Sequence, residues 1–122
     1  SRLNLRIFPR PRSQRFEGPV AVLVDELSAS TSEFLAAGIQ DLNRGKIFGQ
    51  TTAGMALPST IESLPNGDIL QFVIFNMIRE NGERIEGYGV TPDEIVPLTR
   101  AALISGEDPA LNSAINWILE TP

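Results

Sequence analysis

Five apolar residues in a row, Val20-Ala21-Val22-Leu23-Val24, limit what this chain can become more than any other feature of it. A strand with one wetted face alternates apolar and polar residues. An unbroken apolar run needs cover on both faces, and a parallel sheet flanked by helices supplies it. The next residues fit that arrangement. Asp25, Glu26 and Leu27 lead into Ser28-Ala29-Ser30-Thr31-Ser32-Glu33. Phe34, Leu35, Ile39 and Leu42 then recur at helical spacing as far as Arg44, with Gly45 suited to the position just past the helix end. Lys46-Ile47-Phe48-Gly49 begins a second strand. Strand, helix and strand in that order predict a parallel pair joined by a helical crossover.

Further along the pattern changes. A Thr/Gly-rich loop at residues 50–55 precedes two expected strands, 56–64 and 69–79. They are joined by Pro65-Asn66-Gly67-Asp68, where Asn-Gly is a strong hairpin signal. The second strand is apolar on both faces, with Ile69, Val73, Phe75 and Met77 on one and Leu70, Phe72, Ile74 and Ile78 on the other, which predicts an interior position. Asn81-Gly82 makes another turn, Gly87-Tyr88-Gly89-Val90-Thr91-Pro92-Asp93 a loop, and Ile95-Val96 a short extended piece. A short helix is expected at 99–105, stopped by Gly106. Asp108-Pro109, an N-cap followed by proline, opens a last helix with Leu111, Ile115, Ile118 and Leu119 on one face. The class is α/β.

A chain of 122 residues supports one domain that buries roughly two thirds of its unfolded surface without help from a disulfide or a metal. It contains no Cys and no His. Disulfides, thiol catalysis, imidazole metal sites and any Ser-His pair within the chain are therefore excluded, and neither cofactor nor metal is expected. Lys46 is the only lysine. The net charge of −5 is uneven: residues 1–17 carry five Arg and one Glu, a net +4, and the remainder carries 5 basic and 14 acidic residues, a net −9. Leu3, Leu5, Ile7 and Phe8 are interleaved with the arginines, so residues 1–17 read as an extended basic arm or linker lying on the body or on a neighbouring chain. A body at −9 repels phosphate, which argues against nucleic acid. No apolar run approaches the ~20 residues of a membrane span. Ser1 stands where a start Met would and no leader pattern follows, so an internal boundary is expected there.

Two places carry candidate chemistry. Ser30 stands where a buried strand turns into a helix, and Ser30-Thr31-Ser32-Glu33 fits a capping box, with the Ser oxygen and the Glu carboxylate each accepting a backbone N–H. The same place in an open α/β fold can present a hydroxyl at the carboxyl end of the sheet, with the Thr31 amide free to bind a developing oxyanion. The other place is the acidic pair Glu86 and Asp93 around a Gly-rich loop; a proline-following Asp is commonly a turn residue, and Glu86 reads equally as a solvated strand end. Gly49-Gln50-Thr51-Thr52-Ala53-Gly54 lacks the Gly-Lys-Ser/Thr ending of a phosphate loop and opens no helix.

Taken in order, several of these pieces resemble one known family. They are the Val20–Asp25 strand, Ser28-Ala29-Ser30-Thr31-Ser32-Glu33, Gln40-Asp41-Leu42-Asn43-Arg44-Gly45, Gly49-Gln50-Thr51-Thr52-Ala53-Gly54, Leu64-Pro65-Asn66-Gly67-Asp68 and Glu86-Gly87-Tyr88-Gly89-Val90-Thr91-Pro92-Asp93. From about residue 18 to residue 120 the chain resembles the carboxyl-terminal half of the catalytic core of tail-specific (C-terminal processing) serine peptidases, and more closely the branch related to the tricorn core protease. The resemblance implies a crotonase/ClpP-like α/β spiral, present in part, with residues 18–122 as the C-terminal segment of a larger catalytic domain. It implies Ser30 as nucleophile. Tail-specific enzymes pair that Ser with a Lys directly after the Gly of the Thr-x-Gly loop, where this chain has Met55; Lys46 does not stand in for it. The tricorn-like branch uses Ser with a His and a Glu. The Glu matches Glu86, the His lies upstream of the segment present here, and the Thr31 amide is one oxyanion donor.

The expectation is thus a serine endopeptidase acting on polypeptides, with this segment alone inactive and prone to self-association through exposed sheet edges. By the same resemblance the compartment is bacterial periplasmic, extracellular or membrane-anchored. Two other readings share the fold. One is a non-catalytic ligand- or peptide-binding module, as in retinoid-binding repeats; the other is a crotonase-like acyl-CoA enzyme, against which the Ser cluster and the Pro-Asp loop argue.

Overall fold

The computed structural model describes residues 14–79 and 81–121. The apolar run forms β1 (Ala21–Val24), the helical pattern α1 (Thr31–Asp41), and the second apolar run β2 (Lys46–Gly49). β1 and β2 pair in parallel, Ala21 opposite Lys46 through Val24 opposite Gly49. On the other edge of β2, β5 (Glu94–Ile95) adds a second parallel neighbour, giving the order β1-β2-β5. Ile47 and Phe48 are fully buried and, as successive strand residues, point to opposite faces. Ile47 joins Val24, Ala36 and Ala37 of the α1 side, together with Ala56, Ile85 and Val90. Phe48 meets Trp117 of α3 (Pro109–Glu120) with ring centroids 5.8 Å apart. β2 is thus covered by a helix on each face, while in the apolar run of β1 Val24 is buried and Leu23 stays exposed.

α1 ends earlier than its sequence pattern suggests. Its C-cap is Leu42, and Asn43 takes the left-handed turn with φ 49°. Asn43 N donates to Gln40 O (3.0 Å) and Arg44 N to Ile39 O (2.9 Å), the paired bonds of a Schellman motif. Asn tolerates that conformation because its short polar side chain bonds locally. Gly45, expected to close the helix, serves packing instead: a Cβ there would overlap Val20 O. Arg44 is free to fold back, its guanidinium donating to Phe16 O (2.6 Å) and Gly18 O (3.1 Å) and lying over the Phe16 ring. Of the expected basic arm, residues 1–13 lie outside the described residues; residues 14–17 are exposed and carry no regular structure.

The hairpin forms where expected, though shorter than its pattern, as β3 (Ser59–Ser63) antiparallel to β4 (Ile69–Val73). Gly67 at φ 90° and the bond from Leu64 N to Asp68 O (2.8 Å) close its turn. β4 is not an interior strand. The hairpin stands as its own two-stranded sheet, and among the described residues no layer covers either face, so Ile69, Leu70, Phe72 and Val73 are all exposed. A second correction concerns α3. Its Leu111, Ile115, Ile118 and Leu119 are exposed, whereas Ala114 is buried and Trp117 half-buried, because small residues let the helix approach β1 and β2. α2 (Arg100–Ser105) starts one residue later than its pattern, with Thr99 Oγ1 as its N-cap, and is ended by Gly106 as expected. No described helix is long and apolar enough to cross a membrane.

Two polar clusters lock the last turn of α1 to the rest. Arg79 donates to Asp41 and, through Nη2, to Gln40 Oε1 (3.0 Å). The Asp41 carboxylate, outweighing burial, raises the Arg79 guanidinium above its ordinary pKa. Gln40 Nε2 donates to Thr91 O (3.1 Å) and Asp93 Oδ1 (2.8 Å), and Asp93 Oδ2 accepts from Ile47 N (2.8 Å). The left-handed cap yields a direct test. Asn43→Val should lower the unfolding free energy by about 1–2 kcal/mol, while Asn43→Gly should change it by no more than a few tenths. Urea midpoints measure both, and equal midpoints for the two variants would remove Asn43 from the role.

Candidate active site

Between β1 and α1 the chain makes two successive turns with different duties. Ser28 is spent on the first: its Oγ donates to Asp25 Oδ1 (2.9 Å) and accepts from Asp25 N (3.1 Å), while Leu27 N donates to Asp25 Oδ1 (3.0 Å). Ser30 makes the second. Its φ of 57° with ψ −121° is a shape that residues bearing a Cβ rarely adopt. A sharp, strained strand-to-helix turn is also the device that raises a nucleophilic serine above the sheet in the α/β-hydrolase fold.

Ser30 and Glu33 take up the expected capping-box arrangement, in which the glutamate half is the one closed by a hydrogen bond. Glu33 Oε2 accepts from Ser30 N (3.0 Å), but the Ser30 side chain makes no cap bond and is exposed. Glu33 N (2.9 Å) and Phe34 N (3.2 Å) donate to the Ser30 carbonyl instead. The hydroxyl is thus left outside the helix, and among the described residues no acceptor engages the Thr31 amide beside it.

The loop after β2 is fastened to this turn. Ser30 N also donates to Met55 O (3.0 Å), and Ala53 N to Ser28 O (2.9 Å). Met55, at the position where tail-specific enzymes carry Lys, has its side chain 67% exposed. Glu86 lies at the far side of the same loop. Its Oε2 accepts from Ala56 N (2.7 Å), and among the described residues that is the one hydrogen bond its carboxylate makes. Gly87 N donates to Gly54 O (2.8 Å), and Gly54 at φ 68° has no room for a Cβ against Gly89 N. Ser30 and Glu86 are therefore bonded to adjacent residues, Met55 and Ala56. Asp93 is not part of this group; its two oxygens tie β2 to α1.

Sequence reasoning missed the residue that joins these pieces. Glu33 is 0% exposed and accepts four hydrogen bonds. Besides Ser30 N, its donors are Met55 N (3.0 Å), Gly54 N (2.7 Å) and Thr52 Oγ1 (2.5 Å). Thr52 Oγ1 in turn accepts from Val90 N (2.7 Å). The sequence signal for Glu33 was its place three residues after Ser30, which indicates a cap and nothing more. A cleft of about 420 Å³ opens at the carboxyl ends of β1 and β2, lined by Leu23, Asp25, Ser28, Gln50, Leu98 and Leu103 among others; neither Ser30 nor Glu86 lines it.

Known proteins are similar to this chain in sequence and in fold. The sequence model of peptidase family S41 matches residues 4–96, beginning within the segment read as an arm. A Staphylococcus aureus protein named "Probable CtpA-like serine protease" is 26% identical over 100 residues, covering 73% of this chain and 20% of the relative. The crystal structure of the tricorn protease superposes with a TM-score of 0.75 at 26% identity over 96% of this chain and 12% of that one. The photosystem II D1 C-terminal processing protease does so with a TM-score of 0.59 at 34% identity over 65% of this chain and 20% of that one. The chain spans about a fifth of the length of the curated relatives it matches. With its family pattern continuous from residue 4 to residue 96, the chain belongs to peptidase family S41.

Proposed function

We propose that the protein containing this segment is a serine endopeptidase acting on polypeptides, with Ser30 as nucleophile. The observation that carries this reading is the main chain of Ser30, held at positive φ with its hydroxyl released from helix capping. Such strain persists where the surroundings over-determine it, and it clusters at functional sites. Four hydrogen bonds hold it here, from Ser30 N to Met55 O and Glu33 Oε2 and from the amides of Glu33 and Phe34 to Ser30 O. In the reaction, Ser30 Oγ attacks the scissile carbonyl while a base takes its proton. The tetrahedral oxyanion is received by the Thr31 N–H at the head of α1, where the helix dipole also favours negative charge. Collapse expels the amine, which leaves with the proton returned by the base. Water then hydrolyses the acyl-serine by the same steps in reverse order.

The base is an imidazole from outside this chain, since the chain has no His and its Met55 thioether accepts no proton. Glu86, oriented by Ala56 N–H, faces that imidazole and stabilises its charged form. The crotonase/ClpP-like spiral is the reading for the wider domain, supported by the parallel order β1-β2-β5 with helices on both faces. The exposed hairpin and the outer face of α3 support self-association of the isolated segment. A periplasmic, extracellular or membrane-anchored compartment rests on the family resemblance. Met55 favours a second reading, a non-catalytic peptide-binding module.

Three outcomes follow. The 122-residue chain alone should not cleave unfolded casein, because losing a general base forfeits ~10²–10⁴-fold in rate; cleavage by the chain that Ser30→Ala removes would refute the external base. In the intact protein a serine-directed fluorophosphonate should label Ser30, and the absence of that label, with Ser30→Ala fully active or no activity to lose, would favour the binding module. Glu86→Gln in the intact protein should lower kcat by ~10²–10⁴-fold with little change in KM, and Met55→Ala by less than about tenfold. Undiminished kcat in Glu86→Gln would make Glu86 a surface carboxylate.

A further inference from the structure

Glu33 and Thr52 are the buried polar side chains among the described residues, and they bond each other at 2.5 Å. A helix cap requires one bond from such a glutamate, the one to Ser30 N. The other three reach residues 52, 54 and 55, and they converge on the turn that carries the serine. Resting on the peptidase reading above, we propose that Glu33, with Thr52 as its relay, is a positioning residue: it holds the Ser30 main chain in its left-handed shape and registers it against the loop that carries Glu86.

The geometry assigns each oxygen a separate duty. Oε2 lies between two amides, Ser30 N and Met55 N, so one atom clamps the two strands of chain that meet at the serine. Oε1 takes Gly54 N and the Thr52 hydroxyl. Thr52 Oγ1 gives its proton to Glu33 and accepts from Val90 N, which uses both its donor and an acceptor site. Val90 belongs to the loop that begins at Glu86. A single carboxylate, directly or through Thr52, thereby fastens three segments, 28–33, 52–56 and 86–93, while staying closed off from solvent. A carboxylate is suited to this position because it accepts from four donors and supplies none.

Glutamine at this position separates positioning from mere cohesion. It keeps the shape of Glu33, yet whichever way its amide turns, an NH2 group faces either Ser30 N–H and Met55 N–H or Gly54 N–H. In the intact protein, Glu33→Gln should lower kcat per fluorophosphonate-titrated Ser30 by about 100-fold, the loss that a small misplacement of a reacting group produces, with KM within about threefold. Thr52→Val should lower it by about tenfold, and Thr52→Ser, which keeps the hydroxyl, should recover most of that loss. Hydrogen–deuterium exchange should accelerate in peptides spanning 28–34 and 52–57 of Glu33→Gln while residues 35–41 stay protected. A variant that loses melting temperature or titratable sites but keeps kcat per site overturns the proposal, as does unchanged exchange at 28–34. Should Ser30 never be labelled in the unmodified protein, the peptidase reading fails, and the exchange result alone decides what Glu33 does to the Ser30 main chain.

Discussion

A carboxylate at the third position of a helix, closed off from solvent and met by four donors, sets the terms for the rest of this structure. Burying such a group costs several kcal/mol, and only well-directed hydrogen bonds offset the penalty. Bonds to a charged acceptor contribute roughly 1.5–3 kcal/mol each, so the contacts made by Glu33 have to be kept together. That requirement reaches well beyond α1. Gly54 has to be glycine to bring its amide in at φ 68°, Thr52 has to be oriented by Val90, and the loop from Glu86 to Asp93 has to lie close enough for both. At its far end Asp93 is held by Ile47 N and Gln40, and Gln40 in turn by Arg79. Hydrogen bonds, buried at Glu33 and Thr52 and exposed at Asp93, thus run from the serine turn along this loop to the end of α1.

The unusual shape of Ser30 belongs to this set. A residue with a Cβ at positive φ carries a strain of order 1–3 kcal/mol, which dissipates unless neighbours oppose it. An ordinary capping serine avoids the strain by staying extended and bonding its own helix with its side chain. Here the backbone amide of Ser30 is claimed by Glu33 Oε2 and Met55 O together, and its carbonyl by two helix amides. With every backbone group committed, the side chain is the one polar part left over. Glu33 thus replaces the serine as the cap, and that replacement frees the hydroxyl.

Much of this architecture is legible in the sequence, and the reasons differ by element. The run from Val20 to Val24 announces a strand covered on both faces, because nothing else satisfies five apolar side chains on a two-residue period. The helix stop at Gly106 and the cap at Asp108 are readable because each follows from the chemistry of one residue. The helix end at Asn43 is not, since Asn and Gly compete for the same left-handed position and packing against Val20 decides which takes it. The pattern of residues 69–78 identifies side chains that seek cover without naming what covers them; in the hairpin they stay exposed. Ser30 is legible as a candidate, and so is Glu86. The relation between them is not, because it runs through the main chain of Met55 and Ala56 and the side chain of Glu33, where residue type carries little information about contact.

That indirect route has a mechanistic consequence. A nucleophile and an orienting carboxylate that bonded each other directly would adjust as a pair whenever either moved. Bonded instead to neighbouring residues of one loop, they hold their separation through backbone, which is stiffer than a pair of side chains. The imidazole proposed to work between them comes from another part of the protein, so it meets two partners whose spacing is already fixed. Preorganisation of this kind lowers the reorganisation required during proton transfer. On the proposed reading this is also why the rigid part of the segment is a buried glutamate and a threonine that take no part in the bond making or breaking. In that reading the hydroxyl and the Glu86 carboxylate carry the chemistry, and Glu33 keeps their spacing constant.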